Sequence, residues 1–105
     1  MDDSVGRLTK YLVDQELLDN TLFIYMGDNG FQFGDHGLID KRTAYEASAK
    51  VPLLMMAKGK IPAGLRFEGL VGNIDLAPTI LDATASLPIK NVDGQSFWSA
   101  LCSAD

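Results

Sequence analysis

Four residues in one short stretch have the types and spacing to do chemistry. Asp28 and Asn29 stand side by side directly after an apolar run, Leu22 to Met26, that stops at Gly27. A carboxylate next to an amide carbonyl presents hard oxygens of the kind that Ca²⁺ or Mg²⁺ takes. Lys41 follows thirteen positions after Asp28 and carries an ammonium able to offset charge on an anionic ligand. Between them lies the only histidine of the chain, His36, between Gly34-Asp35 and Gly37, able to donate to an anion or exchange a proton near neutral pH. Each has a plainer reading. Asp-Asn-Gly is an ordinary turn sequence, an isolated lysine is normally solvated, and a loop histidine can serve the backbone alone.

Neighbouring residues are supporting candidates. Arg42, Tyr45 and Glu46 follow Lys41 and can order its loop through ion pairs and packing. Thr43 and Ser48 have no general base beside them in sequence, which leaves neither as a nucleophile.

The elements needed to position these groups are legible as an α/β chain. From about Asp3 to Leu18 the apolar residues Val5, Leu8, Leu12 and Leu17/Leu18 recur at helical spacing, and Asp2, Asp3 and Ser4 suit the helix N-terminus. Thr21–Met26 is apolar without alternation, the pattern of an interior parallel strand covered on both faces. Residues 28–50 form a long connection of the kind that is usually functional, with a helical turn expected within Thr43–Lys50.

Val51–Ala57 reads as a second strand with Pro52 near its start, Lys58–Gly64 as an exposed turn, and Phe67–Val71 as a short third strand weakened by Gly69. Asp75 is placed to cap a helix with Pro78 in its first turn, running through Ile80, Leu81 and Ala83. Leu87–Gly94, with Asp93, is a loop, and Ser96–Leu101 a short helix presenting Phe97 and Trp98 as core or interface anchors. In an open α/β sheet ligands bind beyond the carboxyl ends of the strands, where Asp28 and Asn29 stand.

Composition narrows the partners. A net charge of −5 without a basic stripe argues against nucleic acid. The longest apolar run is far below the about 18 residues of a membrane span. Met1-Asp2-Asp3-Ser4 leads straight into the helical pattern, so no signal peptide is expected in this chain, and its compartment is undefined. The single cysteine, Cys102, can form no internal disulfide and reads as a small apolar residue near a helix end.

Several separated motifs, in order, resemble the sulfatase family, whose fold is the alkaline-phosphatase-like α/β sandwich. They are a strand ending in Asp28-Asn29-Gly30, then Gly34-Asp35-His36-Gly37, Asp40-Lys41-Arg42-Thr43 with Tyr45-Glu46, Val51-Pro52-Leu53, Gly59-Lys60-Ile61, Asn73-Ile74-Asp75-Leu76-Ala77-Pro78-Thr79 and Asp93-Gly94. The resemblance implies a partial catalytic domain over residues 1–105, its C-terminal portion, with a mostly parallel sheet and flanking helices.

It implies that Asp28 and Asn29 are metal ligands, that Lys41 contacts the sulfate ester, and that His36 is a second-rank catalytic candidate. The implied cofactor is a divalent cation, Ca²⁺ foremost with Mg²⁺ as the alternative. A formylglycine belongs to the complete enzyme, made from a Cys-x-Pro-x-Arg-like motif, and Cys102, followed by Ser103-Ala104-Asp105, does not match it.

The expected function is therefore hydrolysis of sulfate esters on a sulfated small molecule or glycan. This chain would supply part of the site and stay inactive alone, its partner being the N-terminal part of the catalytic domain or a second copy. Complete relatives are often periplasmic, secreted or lysosomal. The alternatives are a phosphodiesterase or phosphonate-ester hydrolase of the same superfamily, or a non-catalytic module that associates through exposed sheet edges.

Overall fold

The structure is a computed structural model, described here for residues 1–103. The element order is helix α1 (Asp2–Asp14), strand β1 (Phe23–Met26), helix α2 (Glu46–Ala49), strand β2 (Leu53–Met56), helix α3 (Leu76–Ala83) and helix α4 (Trp98–Cys102). Single 3₁₀ turns occur at Leu18–Asn20, Asp35–Gly37 and Asn73–Asp75. The chain divides into two compact units: Phe23–Met55, and Met1–Leu22 together with the residues from Met56 onward.

In the Phe23–Met55 unit, β1 pairs with β2 in a two-stranded sheet. Both strands are shorter than the apolar runs that specify them. No strand residue is fully buried, and Leu54 is 63% exposed. The doubly covered position expected from the apolar runs is thus not met by the described residues. Residues 67–71 form no strand, and Leu70 is fully solvent-facing: without a neighbouring strand, a short segment has no ladder to join.

The other unit gathers its core around α3 and α4. Ala57, Phe97 and Leu101 are buried with Thr79, and the Phe67 and Phe97 rings stack with centroids 6.0 Å apart. The Thr79 hydroxyl donates to the Asp75 carbonyl at 2.6 Å and accepts the Phe97 amide at 3.2 Å, which pins the start of α4 to the first turns of α3. Asp75 precedes α3, yet its carboxylate caps nothing in that helix. It accepts the amides of Gly72 and Gln95, each at 2.8 Å. Gly94 makes this approach feasible, because a Cβ there would overlap the Ile74 carbonyl.

α1 ends four residues before the expected Leu18. Its C-terminus is a Schellman motif: the Leu17 amide bonds the Leu12 carbonyl at 2.8 Å, the Glu16 amide bonds that of Val13 at 3.0 Å, and Glu16 takes the left-handed conformation, φ 57°. α3 ends the same way, with Ala85 at φ 50° and Ser86 bonding Leu81. Neither stop carries the glycine that usually announces it. At the other end of α1 the N-cap is Met1, with no side-chain cap bond; Asp2 and Asp3 lie inside the first turn, where their charge still suits the helix dipole. Among the described residues no helix is long and apolar enough to cross a membrane.

Candidate functional site

The candidate residues all lie in the Phe23–Met55 unit. Gly27 ends β1, and the next three residues turn sharply. The Asp28 carboxylate accepts the Asn29 amide at 2.9 Å, and the Asn29 side-chain amide donates to the Gly30 carbonyl at 2.7 Å. Gly30 then donates its own amide to the Ser48 carbonyl at 2.9 Å, anchoring the turn to α2. A Cβ on Gly30 would overlap the Ala47 carbonyl, so only glycine fits this approach.

Residues 31–41 fold back on themselves. The Gln32 amide bonds the Asp40 carbonyl at 2.8 Å and the Gly34 amide bonds the Leu38 carbonyl at 3.0 Å, so the loop closes in hairpin fashion around the turn at Asp35–Gly37 without forming strands. This hairpin returns the chain to the Asp28–Gly30 turn, and Lys41 Nζ reaches Asn29 Oδ1 at 3.5 Å. Three of the four sequence-selected residues, Asp28, Asn29 and Lys41, are thereby brought together.

The fourth, His36, forms the tip of the hairpin. It adopts φ 55°, ψ 22°, and its ring stacks on Tyr45 with centroids 4.0 Å apart and planes 19° apart. Tyr45 thus orders the loop by packing, as its position suggested. Arg42 does so by ion pairing: its Nε lies 3.0 and 3.1 Å from the two Asp40 oxygens. Glu46 instead pairs with Lys50 on its own helix, at 3.3 Å.

The Asp40 carboxyl is held below the ordinary 3.8 first by the Lys41 backbone N–H, which it accepts at 2.7 Å, and then, against some desolvation, by Arg42. Asp40 neutralises Arg42. Lys41 forms no ion pair within 4.0 Å among the described residues, and its ammonium lies instead against the Asn29 side-chain carbonyl.

Beneath the hairpin lies a polar cluster that sequence reading did not find. Gln32 is fully buried, and its carbonyl accepts the hydroxyls of Thr43 at 2.7 Å and Ser48 at 3.2 Å, while those hydroxyls bond each other at 2.8 Å. Thr43 and Ser48 thus hold the loop to α2 through this cluster. The available signal was the alternation Phe31-Gln32-Phe33 ahead of Gly34, a polar residue between two apolar ones, although these residues form no strand.

Asp28 and Asn29 fit a hard divalent cation in donor type: one carboxylate and one amide oxygen, fixed at a strand end. They furnish two oxygens of the six to eight that Ca²⁺ takes. Among the described residues no group of three or more His, Cys, Asp or Glu converges, so the remaining ligands would come from elsewhere. Cys102 ends α4 and is exposed.

With the fold and this geometry established, comparison with known proteins defines the class. The family model described as Sulfatase matches residues 1–86, and the chain belongs to the sulfatase family, of the alkaline-phosphatase-like superfamily. It is 46% identical over 103 residues to N-acetylglucosamine-6-sulfatase of Bos taurus, covering 96% of this chain and 18% of that protein. It is 41% identical over 97 residues to arylsulfatase K of Homo sapiens, covering 91% of this chain and 18% of that protein.

Among solved structures it is similar to BT4656 in complex with its substrate D-glucosamine-2-N,6-O-disulfate, with TM-score 0.89, 36% identity, and coverage of 97% of this chain and 21% of that one. The chain thus spans about a fifth of the length of the relatives it matches, as a small α/β portion of their fold. The sulfatase family uses a divalent cation.

Proposed function

We propose that this chain supplies part of the site of a sulfate-ester hydrolase acting on a sulfated sugar, as one portion of a catalytic domain. Asp28 and Asn29 donate oxygens to a divalent cation, and Lys41 sits against the sulfate. The observation that carries this is the approach of Lys41 Nζ to Asn29 Oδ1, 3.5 Å, across twelve residues of chain. It supports the reading because an ammonium then stands beside the Asn29 amide oxygen, next in sequence to the Asp28 carboxylate, and a sulfate ester is an anion that needs both cationic and metal contacts.

A divalent cation held at Asp28 and Asn29 would polarise a sulfate oxygen as a Lewis acid. Lys41 stabilises charge as it grows on the transferring group and its leaving oxygen, and a preorganised ammonium there costs no reorganisation during the reaction. The Gly30–Ser48 bond and the hairpin hold the ammonium and the two donors in register. His36, stacked on Tyr45, fixes the loop, and a proton-transfer role for it is the secondary part of this reading. A sugar substrate is supported by the similarity to BT4656, whose substrate is a disulfated glucosamine, and to an N-acetylglucosamine-6-sulfatase.

The test is turnover of glucosamine 6-sulfate, and of the matched phosphate ester, by the full-length protein that contains this chain. Lys41→Ala is expected to lower kcat/KM for the sulfate ester by about 10²–10³-fold with little change in thermal stability. Preference for the phosphate ester, or an unchanged rate in the variant, would overturn the assignment.

A further inference from the structure

Asn29 is followed by a glycine, and no other asparagine of the chain is: Asn20 precedes Thr21, Asn73 precedes Ile74 and Asn91 precedes Val92. Asparagine is among the chemically labile residues, because its side-chain carbonyl carbon lies within reach of the next residue's backbone nitrogen. A β-branched neighbour crowds that nitrogen. Glycine, with no Cβ, leaves it open. Asn29 is also exposed to solvent.

The reaction available to this pair is cyclisation. The Gly30 nitrogen attacks Asn29 Cγ, the Cγ–Nδ2 bond breaks, and ammonia leaves with the proton that Gly30 gives up. Water then opens the resulting succinimide at either carbonyl, which yields aspartate or isoaspartate. Nothing is oxidised or reduced, and the balance is a water consumed for an ammonia released.

Two features of the fold act on this step in opposite directions. Lys41 Nζ stands 3.5 Å from Asn29 Oδ1, where an ammonium favours the negative oxygen of the tetrahedral intermediate. Against this, the Gly30 N–H is donated to the Ser48 carbonyl at 2.9 Å, and Asn29 Nδ2 is donated to the Gly30 carbonyl at 2.7 Å. Gly30 also lies so close to the Ala47 carbonyl that a Cβ would overlap it, which leaves the peptide unit little room to turn. The restraint wins, because attack requires the Gly30 nitrogen to release the hydrogen that Ser48 holds, while Lys41 helps only once attack has begun. Cyclisation therefore passes through a local opening, as amide hydrogen exchange does.

We propose that Asn29 is a site of spontaneous conversion to aspartate and isoaspartate, and that the Gly30–Ser48 hydrogen bond keeps it closed in the folded protein. The place gives the product its consequence. Aspartate there turns the neutral contact with Lys41 into an ion pair, and isoaspartate lengthens the backbone ahead of Gly30 by a methylene. This chemistry does not depend on the sulfate-ester reading.

The experiment holds the full-length protein in mildly alkaline buffer with a chelator, folded or in urea, and maps its peptides for the mass gain of amide-to-acid exchange. In urea Asn29 is expected to convert ahead of Asn20, Asn73 and Asn91. In the folded protein its conversion should be slower by about tenfold or more. As urea is raised below the unfolding transition, conversion should rise in proportion to hydrogen exchange of the Gly30 amide. Equal rates in the folded and unfolded protein would overturn the guard, as would conversion that rises without Gly30 exchange. Conversion in urea no faster at Asn29 than at the other three asparagines would overturn the site.

Discussion

The Gly30 amide reaches the Ser48 carbonyl at 2.9 Å, and this contact joins the turn bearing Asp28 and Asn29 to the helix that follows the lysine loop. Ser48 also closes the buried cluster from the other side, through its hydroxyl to Gln32. One residue thus ties the oxygen-donor turn to the hairpin that delivers Lys41.

Gly30→Ala tests that junction. The added Cβ would meet the Ala47 carbonyl, a backbone atom that cannot rotate away, so the turn or α2 must shift. A loss of about 1–3 kcal/mol is expected in denaturant unfolding, accompanied by weaker divalent-ion binding. Gly6→Ala, where a Cβ meets open space, serves as the control.

Gln32→Ala removes an acceptor shared by two hydroxyls and a buried amide that donates to the Asp35 carbonyl at 3.4 Å. Thr43 and Ser48 still bond each other, so the penalty should fall at about 1–3 kcal/mol. Faster exchange of the Gly34 and Gln32 amides, followed by NMR, would show the hairpin loosening; unchanged protection would mean that the backbone pairing suffices.

Asp28→Ala and Asn29→Ala should each weaken divalent-ion binding in the full-length protein, measured by calorimetry with Ca²⁺ and Mg²⁺ separately. Chelation should abolish turnover of a sulfate ester. On the proposed division of the site the 105-residue chain alone would contribute two ligands of the shell, and it is expected to turn over nothing. Hydrolysis of an aryl sulfate by that chain, dependent on Asp28 and Lys41, would contradict this division of the site.

Asp75 gives a pH dependence with a definite sign. The Gly72 amide first, and the Gln95 amide second, hold its carboxyl below the ordinary 3.8. A group whose folded value is depressed stabilises the fold above its unfolded value and loses that contribution as pH falls through the folded one. The Gln95 and Gly72 amides should therefore keep their protection at pH 5 and lose it progressively below about pH 3.8. Asp75→Asn should flatten that response, and a response that persists in the variant would place its origin in another carboxyl.

Sequence by itself determined the family, the α/β element types, and three residues that the fold brings together. Those features are local or ordered along the chain: an apolar run ending in Asp28-Asn29, a glycine-flanked loop, a lysine at a fixed interval. Tertiary structure decided what depends on partners distant in sequence. Residues 67–71 stay out of the sheet, which among the described residues has only β1 and β2. α1 and α3 stop at Glu16 and Ala85, non-glycine residues whose left-handed backbone is fixed by carbonyls of the preceding turns.

Asp75, apparently a helix cap, spends its carboxylate on an amide twenty residues away. Arg42 and Lys41 are adjacent cations in sequence, and only the fold gives the Asp40 carboxylate to one and the Asn29 side chain to the other. Periodicity can report which face a residue occupies. Which side chain neutralises a charge is set by three-dimensional proximity, and that is what distinguishes Lys41 from its neighbour.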